Sequence, residues 1–217
     1  MGKKIRSISK IISEDGILVF FSKVLRYFRK NIFSVTKVFI YELDLNDSIP
    51  KFSSELKLSY RFATKEDIDL MNYENYNYDE KAKKYAEERL KKGDSCVLAL
   101  NNSRIIGYVW IIYDNLEISK MNFISLSKNR ASTYNSFVLK EFRGKKVRNL
   151  MDNYIYEMLR KAGKRYLVCV IEKDNIASQK TRERAGYKKI WHINEFRFFG
   201  LRYDYIDKNL LSYLQKS

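Results

Sequence analysis

Five cations crowd one short segment of this 217-residue chain. Lys140, Arg143, Lys145, Lys146 and Arg148 surround Gly144, and an apolar-periodic run begins at Val147. Val147, Leu150, Met151, Tyr154, Ile155, Met158 and Leu159 fall on one helical face, so the basic turn feeds directly into a helix N-terminus. Such a terminus carries unpaired backbone N–H groups and a positive dipole end, and added cations make it suited to a pyrophosphate. Upstream, residues 134–139, with Phe137 and Val138, read as a strand. Downstream, Gly163 caps the helix and residues 165–171 form an apolar strand. Strand, loop, helix and strand together make a crossover unit with parallel strands.

Other chemistries are excluded by what is missing. One histidine and two cysteines cannot supply the usual ligand set of a zinc site, and no metal is expected. Cys96 and Cys169 each lie in an apolar run, as buried free thiols of a reducing compartment do. The net charge of +16 welcomes polyanions, anionic lipid or a phosphorylated ligand, but no nucleic-acid motif accompanies it. The charge is concentrated in residues 140–189 and in residues 1–40.

The elements that must position the basic turn can be read around it. Residues 1–44 form a basic amphipathic extension, with Ile5, Ile8, Ile11, Ile12, Val24, Leu25 and Phe28 at helical spacing; its dense apolar segment, 17–21, is too short to span a membrane. Residues 45–56, with the only proline, Pro50, read as a linker. Residues 57–217 form the folded domain. Within it, Leu58, Tyr60 and Phe62 alternate as a strand, and Thr64 with Asp67 makes a capping arrangement. A charged helix runs over 79–92 to Gly93. Strands at 95–100 and 105–113 are joined by a hairpin turn at Asn101, Asn102 and Ser103. Asn175 opens a second helix over 176–185, closed by Gly186, and strands follow at 188–191 and 194–199.

Two runs carry a family resemblance. Val138-Leu139-Lys140-Glu141-Phe142-Arg143-Gly144, and Asn175-Ile176-Ala177-Ser178 with Arg184-Ala185-Gly186-Tyr187 downstream, resemble the GNAT superfamily of acyl-CoA-dependent N-acyltransferases over residues 57–200. The resemblance implies an α/β fold of the α+β type, a mixed and mostly antiparallel sheet with one parallel cofactor unit. It implies acetyl-CoA or another acyl-CoA as co-substrate, and a small-molecule or protein amine as acceptor. Phe137, Val138 and Lys140 would offer main-chain contacts to pantetheine. Arg143, Gly144, Lys145, Lys146, Val147 and Arg148 would form the phosphate loop, with Asn175 and Ser178 as a second cofactor contact. Lys146 and Arg148 stand where the family's loop has small residues, and Arg182 stands where many members place a thiol-protonating tyrosine.

The implied mechanism is attack of a neutral amine on a thioester, with backbone amides polarising the carbonyl and a base removing a proton. Asp114, Glu117, Glu172 and His192 are the available bases. Arg182 is expected beside the sulfur, stabilising the departing thiolate by charge, with Tyr187 or Tyr134 as the alternative proton donor. The competing reading is an inactive GNAT-like binding module associated with a membrane or a partner protein. The expected location is cytoplasmic, with the amphipathic stretch within residues 1–40 either resting on an anionic membrane surface or packing on its own domain or a partner.

Overall fold

The computed structural model describes residues 33–71, 79–119, 122–198 and 201–216. The chain divides into two compact units, Val38–His192 with Asp207–Ser217, and Met1–Lys37 with Ile193–Ile206. Most of the amphipathic stretch read at the N-terminus, residues 1–32, lies outside the described residues.

The larger unit is built on a mixed sheet. Its strands are β1 (Phe33–Asp44, which enters it at Val38), β2 (Ser59–Phe62), β3 (Ser95–Asn101), β4 (Arg104–Ile112), β7 (Arg130–Val138) and β8 (Tyr166–Glu172), in the spatial order β1-β8-β7-β4-β3-β2. A separate hairpin pairs β5 (Asn115–Ser119) with β6 (Asn122–Ser125). Among the pairings of these six sheet strands, β7 with β8 is parallel and the others are antiparallel. The helices are α1 (Asp79–Lys91), α2 (Val147–Lys161), α3 (Ile176–Arg184) and α4 (Lys208–Gln215). The smaller unit contains an antiparallel hairpin of β9 (Lys188–Phe198, which enters it at Ile193) and β10 (Leu201–Tyr205). Among the described residues no helix is long and apolar enough to cross a membrane.

Local chemistry explains the elements closest to the site. Asn102 and Ser103 both have positive φ, 48° and 66°, the backbone that a two-residue hairpin turn with matching twist requires. Asp67 accepts hydrogen bonds from the Thr64 amide at 2.8 Å and the Thr64 hydroxyl at 3.2 Å, closing the capping arrangement read from the sequence. In α2 the apolar face meets the sheet as expected, with Val147, Met151, Ile155 and Leu159 at most 1% exposed. On β4, a Cβ at Gly107 would lie 2.9 Å from the Phe137 carbonyl oxygen, so a larger residue would push β7 away.

The boundary of the folded region is corrected. Val38–Asp44, read as part of an extension, pairs residue for residue with β8 and places Ile40 and Tyr41 in the core at 0% exposure. A strand partner about 130 residues away leaves no local signal. The stretch read as a linker is anchored as well: Leu45 is buried, its carbonyl accepts from Arg160 Nε at 2.6 Å, and the Phe52 carbonyl accepts from Asn153 Nδ2 at 2.8 Å. It straps the chain across α2. The two strands read at 188–191 and 194–199 are the single strand β9.

Candidate acyl-CoA site

The pairing of β7 with β8 lasts three residue pairs, Arg130 with Tyr166, Ala131 with Leu167 and Ser132 with Val168. Beyond them the strands part, and a cleft of about 790 Å³ opens between Thr133–Ser136 on one side and Cys169–Glu172 on the other. On the β7 side the backbone is bulged. Tyr108 and Trp110 of β4, two residues apart, pair with Phe137 and Tyr134, three residues apart, and Asn135 takes up the extra length at φ 42°.

The wide end of the cleft meets the basic turn. After Val138 the chain makes one 3₁₀ turn, Lys140–Phe142, and then two positive-φ residues, Gly144 at 80° and Lys146 at 59°. Lys146 is the N-cap of α2 without a side-chain cap bond, so the first amides of α2 are offered at the cleft wall formed by Gly144, Lys146 and Val147. Arg143 and Arg148 line the same end. The Arg143 Nε donates to the Val138 carbonyl at 3.0 Å.

The opposite wall is the start of α3. Asn175 and Ser178 line it, and Asn175 Oδ1 accepts from the Ser178 amide at 3.1 Å, capping the helix. Glu172 also lines the cleft and is exposed. Arg182 lines it from one turn further along but is only 7% exposed, because it turns inward to Asp152 of α2. Asp152 is fully buried and receives Arg182 Nη1 at 2.9 Å on one oxygen and Arg148 on the other. Two guanidiniums on one carboxylate leave a surplus positive charge at the cleft. Burial is the largest single influence and works against the Arg182 charge, but Asp152 leads the opposing influences that together outweigh it, so Arg182 stays protonated. Burial pushes the Cys169 thiol on the facing wall up to about 11, against the pull of Arg182 and Arg148, so it remains neutral.

Seven of the residues singled out by sequence fall outside this cleft's lining, among them three of the four bases: Asp114 and His192 are exposed elsewhere, and Glu117 accepts from Arg89. The Phe137 ring is buried and stacked on that of Tyr108, its cross-strand partner, at 5.5 Å. Lys140 is exposed beyond the end of β7. Lys145 faces an adjoining groove, shared with Gly144, Lys146 and Ser53–Leu56 of the strap. Tyr187 is 3% exposed, and its hydroxyl lies 3.5 Å from Arg182 Nη1 and not at the cleft surface. Sequence reasoning missed Asp152. Its signal was an Arg148 to Asp152 pair at i,i+4 beside an apolar helix face.

Comparison with known proteins is decisive at the level of family. Residues 59–187 match the model of the acetyltransferase (GNAT) family. The chain belongs to the GNAT family. No curated protein matches it. Among solved structures, this GNAT chain is similar to an acetyltransferase from the GNAT family of Colwellia psychrerythraea, with a TM-score of 0.55, 14% identity, and coverage of 81% of this chain and 61% of that one. It is equally similar to a tandem GNAT protein from the clavulanic acid biosynthesis pathway, with a TM-score of 0.55, 15% identity and coverage of 87% and 60%. A third likeness is to AAC(6')-Iy in complex with the bisubstrate analog CoA-S-monomethyl-acetylneamine, with a TM-score of 0.51, 16% identity and coverage of 61% and 92%. The GNAT fold therefore accounts for the mixed sheet and its parallel pair.

Proposed function

We propose that this protein transfers an acetyl or other acyl group from acyl-CoA to a primary amine carried by a small molecule or a protein. The observation that carries the reading is the parting of β7 from β8 into a cleft that ends at the cationic N-terminus of α2. In this reading the amides at the start of α2, with Arg143, Lys146 and Arg148, hold the pyrophosphate. Val138 offers main-chain groups along the edge of β7, and Asn175 and Ser178 flank the thiol end from α3.

The chemistry assigned to the cleft needs three events. The amine nitrogen bonds to the thioester carbon, the carbon–sulfur bond breaks, and one proton leaves the nitrogen. Glu172, exposed at the rim, is assigned as the base. Arg182 has no proton to give at neutral pH, but the surplus charge that it shares with Arg148 and Asp152 stabilises the thiolate. A thiol of reference pKa about 8.5 leaves as an anion without simultaneous protonation. Tyr187 serves this arrangement by packing under Arg182, with the guanidinium 5.1 Å from its ring centroid.

Calorimetric titration with acetyl-CoA tests the reading, with saturable binding in the micromolar range as the expected result. Absence of binding at millimolar ligand overturns it. Binding without turnover across a panel of primary amines favours the inactive binding module, a reading supported by Lys146 and Arg182 standing where relatives carry a small residue and a tyrosine. Attachment to an anionic membrane surface in the cytoplasm is proposed for residues 1–32 only, since Val38 and Ile40 are buried in the sheet; co-sedimentation of the full chain with anionic vesicles, lost in a chain starting at residue 33, is the expected outcome.

A further inference from the structure

The basic turn before α2 has two faces. Gly144 and Lys146 line the cleft on one side, and on the other they line a second groove, of about 460 Å³, together with Lys145 and Ser53–Leu56 of the strap. The strap reaches this point because it runs along α2 toward that helix's N-terminus, bonded first to Arg160 and then to Asn153. Ser54 pins it to the turn: its hydroxyl donates to the Lys145 carbonyl at 3.4 Å and accepts from the Leu56 amide at 3.3 Å. Residues 53–56 precede the span that matches the family model, 59–187, so this wall is built from residues outside the family domain.

The groove's lining is chemically mixed. Lys145 and Lys146 bring two cations against the single carboxylate of Glu55, and all three are exposed. Among the described residues the Lys145 ammonium forms no ion pair; it rests 5.3 Å from the Phe142 ring centroid, while the neighbouring Glu141 is engaged by Arg104 at 2.8 Å. Ser53 adds an exposed hydroxyl, and the half-buried Leu56 gives the groove an apolar side. Cations, a hydroxyl, a carboxylate and a leucine are together the complement of a nucleotide: its phosphate suits the first two, its base amine the third and its ring face the last. In the acyltransferase reading the pyrophosphate is held at the start of α2, where Gly144 and Lys146 belong to both cleft and groove. The pantetheine arm then runs down the cleft, and the nucleotide on the other side of the pyrophosphate has the groove beside it.

We infer that the groove between the strap and the basic turn is the subsite for the adenosine 3′-phosphate end of acyl-CoA, with Lys145 and Ser53 on the 3′-phosphate. The inference rests on the acyltransferase reading and can fail without it, because 3′-dephospho-CoA keeps the thiol, the pantetheine and the pyrophosphate and lacks only this one phosphate. The experiment titrates the full chain, and its Lys145→Ala and Ser53→Asp variants, calorimetrically with CoA and with 3′-dephospho-CoA.

The unaltered protein is expected to bind CoA about 5- to 10-fold more tightly than 3′-dephospho-CoA, the worth of one charge-assisted contact open to solvent. Both substitutions fall on exposed side chains. In Lys145→Ala, and in Ser53→Asp, where an added negative charge repels the phosphate, the preference should shrink to within about twofold while 3′-dephospho-CoA binds as before. Equal affinity of the unaltered protein for the two ligands overturns the inference and leaves the acyltransferase reading standing. A preference that survives in either variant also overturns it, as does equal weakening of both ligands by Lys145→Ala, which would put Lys145 on the pyrophosphate. If the unaltered protein binds neither ligand, both readings fall together.

Discussion

Arg182 of α3 donates through Nη1 to Asp152 of α2 at 2.9 Å, a buried ion pair that ties the two helices flanking the cleft. Because Arg148 binds the other oxygen of the same carboxylate, removing Asp152 leaves two guanidiniums without a counter-charge. Asp152→Ala is expected to cost about 3–5 kcal/mol, the range for breaking a buried pair by deleting one partner. Urea unfolding at neutral pH measures it. A loss under about 1 kcal/mol would show that the pair is solvated in solution.

Arg182→Met keeps the bulk of the side chain and removes its charge, leaving Asp152 paired to Arg148. If the surplus charge stabilises the thiolate, kcat falls while acetyl-CoA affinity stays within about twofold. Steady-state kinetics with a competent amine, combined with direct titration of acetyl-CoA, separates the two effects. Lost affinity at unchanged kcat would instead make Arg182 a ligand contact.

Lys146 has two separable roles. Its φ of 59° is a left-handed conformation that glycine adopts without steric cost, so Lys146→Gly is expected to raise stability by about 0.5–1 kcal/mol in thermal or urea unfolding. The same change removes a cation from the phosphate end, so affinity for CoA should fall as stability rises. Reversing Lys145 and Lys146 to Glu should weaken CoA far more than pantetheine, which lacks the phosphates. Equal losses for both ligands would mean that the turn acts through the fold alone.

Acid stability is linked to Asp67. The Arg61 guanidinium, donating to Asp67 Oδ1 at 2.6 Å, holds its carboxyl at about 2, below the ordinary 3.8. A folded pKa below the unfolded one gives stability that is present above the unfolded value and lost as pH falls through the folded one. Arg61 is half open to solvent, so screening limits the contribution to about 1–2 kcal/mol. Asp67→Asn should therefore be less stable than the parent protein at about pH 5, with the gap closing as pH falls from about 4 to 2. A gap independent of pH would assign the loss to the Thr64 hydrogen bonds.

What could be read from the sequence was local. The apolar face of α2 and the Asn102-Ser103 turn each write themselves into a few adjacent residues, and both form as read. The strand at Val38–Asp44 does not, because its partner begins at Tyr166 and nothing between the two marks the pairing. The site divides the same way. The cationic turn before α2 is visible as a cluster, whereas the inward path of Arg182 depends on a carboxylate 30 residues earlier. Tyr134 could be named from sequence as an alternative proton donor, but the bulge beside it and its contact with Arg89 of a distant helix could not.

The three-pair seam between β7 and β8 also sets how the molecule breathes. Past Val168, successive amides of β8 point alternately toward β1, where the ladder continues to Glu172, and toward the open cleft. One strand thus carries two populations of protons. In deuterated water, the amides facing β1 over residues 169–172 should be slow and those between them fast, an every-second-residue pattern inside a single element. Any occupant that bridges the gap would erase that alternation, making isotope uptake in β8 a gauge of occupancy that needs no knowledge of the acceptor.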